Sequence, residues 1–62
     1  MYGDKIAALR RARSMTQEQL ASSLGLLRVS ISHYENNRRE PDYRTLIKIA
    51  DFFKVTTDYI IR

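Results

Sequence analysis

The sequence contains no cysteine and a single histidine, His33. Disulfides and thiolate metal sites are therefore excluded, and one imidazole with no second ligand in view makes no metal centre. Neither a metal nor a cofactor is expected. One proline and two glycines leave little scope for disorder or low complexity, and no internal repeat is visible. No apolar run approaches the roughly 18–20 residues of a membrane span, so no membrane partner is expected. The opening MYGDKIAALRRAR spreads charges through its length and does not read as a signal peptide. The expected compartment is the cytoplasm. The carboxylates are scattered without an evident catalytic pair. A chain of this length has no room for a substrate cavity beside a core. An enzyme with a small-molecule substrate is thus not expected.

What is present is a basic, helical pattern. The 62 residues carry a formal charge of +4 and a pI near 9.9, which favours an acidic partner such as nucleic acid. The length fits a single domain over 1–62. Apolar residues recur at helical spacing, and no stretch alternates for long. Ile6, Leu9 and Ala12, with Ala8, predict a first helix over about 3–13. Thr16 and Gln19 form a capping box that opens a second helix through Leu24, whose inward residues are Leu20, Ala21 and Leu24. Gly25 breaks that helix and can take the positive φ of a sharp turn. A third helix is predicted from Arg28 to Asn36, with Asn37 as a left-handed cap. NRREPD forms a polar loop that Pro41 keeps from being helical. Leu46, Ile49, Ala50 and Phe53 mark a fourth helix over 43–53. Val55 packs the next turn, and Thr56 caps a short fifth helix over 57–61. The expected fold is all-α: five short helices around one core.

The third helix is unusual. With Ile31 at zero on a wheel of about 100° per residue, Tyr34 and Glu35 fall on the same side. Val29, His33 and Asn36 fall on the far side, flanked by Ser30 and Ser32. The outward face therefore shows short side chains rather than the usual Lys and Glu. Such a face suits a helix that enters a groove about 12 Å wide. Its neighbours fit a helix-turn-helix over about 17–36. Gln17 opens the second helix, Ala21 is small enough for close crossing, Gly25 makes the turn, and Ile31 fills the angle between the helices.

Residues 5–60 resemble the Cro/CI-type helix-turn-helix domain, the XRE family of bacterial and phage transcriptional regulators. TQEQLASSLG, ISHYENNRREPDYRTL and IADFFKVTTDYI carry the match. The resemblance implies a compact five-helix, lambda-repressor-like fold whose recognition helix, 28–36, enters the major groove of double-stranded DNA. By position, Arg28, Val29, Ser30, Ser32 and His33 would face the bases. Arg28 suits guanine O6 and N7, Val29 suits a thymine methyl, and Ser32 and His33 suit polar base edges. Gln17, at a helix start, would meet phosphate, as would Asn36, Asn37, Arg38 and Arg39. Arg44 and Arg11, or Arg13, are further phosphate candidates. Arg10 and Glu35 match positions that form an internal ion pair, a structural role.

Leu27 stands where the family has Ser or Thr at the start of the recognition helix. Either it occupies the cap position without capping, or it packs into the core with Leu24. One recognition helix reads only about 4–5 base pairs, so a homodimer on a palindromic operator is expected. The functional reading is a sequence-specific transcriptional regulator, a repressor, associated with the bacterial nucleoid. The alternative is a protein-interaction module of the same fold, as in an antitoxin complex, with Leu27 and Val29 as its contact patch. A complete Cro-like protein and an N-terminal part of a longer regulator both fit the ending TTDYIIR.

Overall fold

The first helix begins at once and packs its start against the end of the third. The computed structural model describes residues 2–62 and places five α-helices in them: α1 (Tyr2–Ala12), α2 (Gln17–Leu24), α3 (Arg28–Glu35), α4 (Tyr43–Phe53) and α5 (Thr57–Ile61). There is no strand among the described residues. The all-α, five-helix expectation holds. α4 and α5 match their expected limits, α1 starts and ends one residue earlier, and α3 ends at Glu35 rather than Asn36.

Helix starts follow local chemistry. Thr16 Oγ1 accepts from the Gln19 amide at 3.0 Å, and the Thr16 amide donates to Gln19 Oε1 at 2.8 Å, completing the capping box. Thr56 Oγ1 accepts from the Tyr59 amide at 3.1 Å. Asp42 opens α4 in the same way, accepting from the Thr45 amide at 2.8 Å. Hydrogen bonding from the Thr45 hydroxyl and amide holds the Asp42 carboxyl below the ordinary aspartate range, because it favours the charged form.

The ends of α1 to α4 share one geometry. Ser14, Gly25, Asn37 and Lys54 are left-handed, with φ of 56°, 70°, 61° and 58°. After each, the next amide reaches back to the preceding helix: Met15 to the Arg10 carbonyl at 3.1 Å, Leu26 to Ala21 at 2.8 Å, Arg38 to His33 at 2.9 Å and Val55 to Ala50 at 3.0 Å. Each is a Schellman ending. Met15, Leu26 and Val55 then pack on the core, as this motif favours. Arg38 is the exception and stays exposed.

The core comprises Ile6, Leu20, Ala21, Leu24, Ile31, Tyr34, Leu46, Ile49, Ala50, Phe53 and Ile60. On α1 the buried alanine is Ala7; Ala8 and Ala12 are exposed, contrary to the sequence expectation. The buried edge of α1 runs through Gly3, Ile6 and Ala7, because the start of this helix lies directly on the end of α3. At Gly3 a methyl group would overlap the carbonyl oxygens of Tyr34 and Glu35. The Gly3 amide donates to Asn37 Oδ1 at 3.1 Å.

Candidate nucleic-acid interface

The turn between α2 and α3 decides where α3 points. Gly25, at φ 70° and ψ 31°, lets the chain reverse direction without a steric penalty. Among the described residues no atom lies where its side chain would project, so the glycine answers to conformation and not to space. Ala21 beneath the crossing is 2% exposed and Ile31 opposite it is fully buried. From α4, Lys48 Nζ donates to the Leu24 carbonyl at 2.9 Å and ties down the end of α2.

α3 is thereby held by Ile31 and Tyr34 and turns its other side outward. Arg28, Val29 and Asn36 are exposed, and Ser30, Ser32 and His33 are half-buried. This is the short-side-chain face expected from the pattern, and the five residues expected at bases all lie on α3. Asn36 Nδ2 donates to Ser32 Oγ at 3.4 Å, a weak bond that lets both side chains turn to another partner. Leu27 occupies the N-cap with extended backbone (φ −86°, ψ 146°) and makes no side-chain cap bond. It is 70% exposed, which removes the alternative of core packing with Leu24.

Beneath this face lies an ionic clamp. Arg10 Nε donates to Glu35 Oε2 at 2.7 Å and its Nη2 to Oε1 at 3.0 Å, a two-pronged pair between α1 and α3. The two side chains are 11% and 5% exposed. The remaining Arg10 nitrogen donates to the Met15 carbonyl at 2.7 Å. Hydrogen bonding and attraction to Glu35 outweigh desolvation and raise the Arg10 pKa. Gln17 Nε2 donates to Glu35 Oε1 at 3.0 Å. A carboxylate only accepts, so the amide must offer its nitrogen here, and a second N–H remains for another acceptor. The pair with Arg10 is the one that the family resemblance implies; the bond to Gln17 is one that neither the resemblance nor the local pattern gives.

The cations sort into two sets. Arg10 is consumed by Glu35. Arg13 Nη1 donates to the Phe52 carbonyl at 3.3 Å, with the guanidinium 5.4 Å and 5.1 Å from the Phe52 and Phe53 ring centres. Arg13, a phosphate candidate by sequence, is thus occupied at the end of α4. Lys5 sits over the Tyr59 ring and donates to the Tyr59 carbonyl at 2.8 Å. Lys48 holds Leu24, and Arg62 lies 3.7 Å from Asp58. By contrast, Arg11, Arg28, Arg38, Arg39 and Arg44 make no side-chain hydrogen bond or ion pair among the described residues, and the same holds for Lys54. Five of these six are the residues singled out for DNA. Arg39 lines a surface hollow of about 170 Å³ with Tyr2, Asn37, Glu40 and Ile61. Asn37 keeps its amide nitrogen free while its oxygen serves Gly3. No group of acidic or histidine side chains suited to a metal occurs among the described residues. Among the described residues no helix is long and apolar enough to cross a membrane.

The chain matches the helix-turn-helix family model over residues 6–60. It is 36% identical over 62 residues to YqaE of Bacillus subtilis, named an uncharacterized HTH-type transcriptional regulator. It is 37% identical over 60 residues to the HTH-type transcriptional activator BcrR of Enterococcus faecalis. It is 33% identical over 55 residues to the cryptic phage CTXphi transcriptional repressor RstR of Vibrio cholerae. These alignments cover 100%, 97% and 89% of this chain. They cover 53%, 29% and 49% of the relatives, so the chain spans about half the length of YqaE and RstR and less of BcrR.

Proposed function

The chain belongs to the XRE-type helix-turn-helix family, and on that premise we propose that it is a sequence-specific double-stranded-DNA-binding transcriptional regulator. The observation that carries the reading is the sorting of cations. Lys5, Arg10, Arg13 and Lys48 are bonded within the fold, while Arg28, Arg38 and Arg39, on α3 and just after it, make no side-chain hydrogen bond or ion pair among the described residues, and Arg11, Arg44 and Lys54 on other elements make none either. α3 enters the major groove, with Arg28, Val29, Ser30, Ser32 and His33 toward base edges. Gln17 and Asn36, Asn37, Arg38 and Arg39 meet phosphates on either side, and Arg44 and Arg11 extend the contact along the backbone. Glu35 aims the free N–H of Gln17 and itself touches no DNA.

The regulator acts as a homodimer on a palindrome, since one helix selects too few base pairs alone. The described chain measures 24 × 23 × 19 Å, so one copy fits each half-site at a spacing of about 34 Å. Its role is repression by occupying the operator, as the name of RstR supports; the name of BcrR favours activation instead. Such a regulator works in the cytoplasm at the nucleoid. The whole chain 1–62 serves as one DNA-binding domain.

Titration of a selected operator against salt tests the proposal. With about five to seven phosphates contacted per dimer, log K falls against log salt with a slope of about −4.5 to −6. A flat titration would reject DNA binding and favour the protein-interaction module, for which the exposed Leu27 is the supporting observation. Operator activity from a reporter promoter separates repression from activation.

A further inference from the structure

The hollow of about 170 Å³ lies where three parts of the chain meet. Tyr2 lines it from the start of α1, Asn37, Arg39 and Glu40 from the loop after α3, and Ile61 from the end of α5. A cavity of about 150 Å³ holds a benzene ring, so there is room for a small apolar group. Tyr2 and Ile61 supply apolar surface, and Ile61 is 42% exposed. Arg39 and Glu40 are neighbours of opposite charge, yet neither makes an ion pair or a side-chain hydrogen bond among the described residues. Asn37 gives its Oδ1 to the Gly3 amide at 3.1 Å, so its amide offers a ligand the N–H end. That wall is firm, because Gly3 lies directly against the Tyr34 and Glu35 carbonyls.

Such a lining asks for a ligand that carries both charges. An anion alone would take the N–H groups of Arg39 and Asn37 but face the Glu40 carboxylate. A cation alone would face Arg39. A zwitterion satisfies both. We propose that the hollow binds a free α-amino acid with an apolar side chain. Its carboxylate meets Arg39 and Asn37, its ammonium meets Glu40, and its side chain lies against Tyr2 and Ile61. The amino acid is an effector and not a substrate. Arg39 is also assigned to a DNA phosphate, so the two anions compete for one guanidinium and the bound amino acid lowers DNA affinity. This coupling, unlike the site itself, rests on the DNA-binding reading above. It is reciprocal: DNA weakens amino-acid binding by the same factor.

The test titrates L-phenylalanine into the isotope-labelled chain and follows NMR shifts. Saturable changes should centre on Tyr2, Asn37, Arg39, Glu40 and Ile61, with a Kd of about a millimolar, as suits a small ligand in a surface hollow. Phenylpropionate, which lacks the ammonium, and phenethylamine, which lacks the carboxylate, should each bind about two- to fivefold more weakly. Glu40→Gln should erase the advantage of phenylalanine over phenylpropionate, with urea unfolding to establish that the variant is folded. On a duplex selected with the same chain, saturating phenylalanine should weaken DNA binding by about two- to fivefold. Unchanged DNA affinity would overturn the coupling and leave the site standing. Absence of saturable shifts, or equal binding of phenylpropionate, would overturn the site. Shifts at the same residues that grow with protein concentration alone would also overturn it and give this face to a second copy of the chain. Failure to enrich any duplex would overturn the DNA-binding reading and the coupling with it, while the NMR titration separately decides the site.

Discussion

Gln17 donates through Nε2 to Glu35 Oε1 at 3.0 Å, joining the first residue of α2 to the last of α3. The same carboxylate holds Arg10 with two bonds. One buried anion therefore fixes the α1–α3 contact and aims a side chain proposed to meet phosphate. Glu35→Gln should strand the Arg10 charge and cost about 3–5 kcal/mol, read by urea unfolding. Arg10→Met with Glu35→Leu should restore most of the stability, because the desolvation penalty disappears with both charges. DNA affinity should stay reduced in the stable double variant, since Gln17 loses its anchor. Full affinity there would show that Glu35 does not position Gln17.

Arg28 and Arg39 should fail differently. Arg28→Ala should lose about 1–3 kcal/mol at one base pair and relax selection there. Arg39→Ala should weaken binding about equally on all sequences and make the salt slope shallower by about one. Affinities of both variants across a panel of operator changes distinguish the roles. A uniform loss for Arg28→Ala would make it a phosphate ligand.

Leu27→Ser should stabilise the free domain by about 0.5–1 kcal/mol, through a bond from a first-turn amide to the new hydroxyl. The leucine is 70% exposed, so little buried apolar area is lost in exchange. Destabilisation in thermal or urea unfolding would contradict the cap assignment.

Lys54 carries a left-handed backbone, φ 58°, at the end of α4. An L side chain there costs about 1–2 kcal/mol relative to a right-handed helical residue, and glycine removes most of that strain. The greater freedom of glycine in the unfolded chain offsets part of the gain. Lys54→Gly should therefore raise stability by about 0.5–1 kcal/mol. Asn37→Gly should gain less, because asparagine already tolerates this region and its side chain would no longer hold the Gly3 amide. Parallel denaturation curves compare the two.

The acid limit of the fold should include Asp42. Its carboxyl is held below the ordinary aspartate range by the Thr45 hydroxyl and then by the Thr45 amide. A lowered folded value means stability present above the unfolded pKa, near pH 4, and lost as pH falls through the folded one. Asp42→Asn keeps a cap but removes this titration, so the two proteins should converge in stability as pH falls through and below the lowered folded value. An unchanged pH profile would contradict the assignment. Arg10, raised above the ordinary arginine range, contributes stability that is present throughout this window and is lost only in extreme alkali.

The sequence by itself determined the local grammar. The capping box at Thr16 and Gln19, the cap at Thr56, the left-handed residues Gly25 and Asn37, and the limits of α4 and α5 depend on residues a few positions apart, where spacing alone defines the geometry. The outward face of α3 followed from one helical turn of pattern. The Arg10–Glu35 pair was legible only through resemblance, because its partners lie 25 residues apart. The tertiary structure decided the rest. It placed Gly3 against the end of α3, turned Ala7 inward in place of Ala8 and Ala12, and bound Gln17 to Glu35 and Lys48 to Leu24. It took Arg13 away from the candidate interface and left Leu27 in water. Each of these depends on the angle at which two helices meet. That angle is set by the summed packing of the core, and no local pattern specifies it.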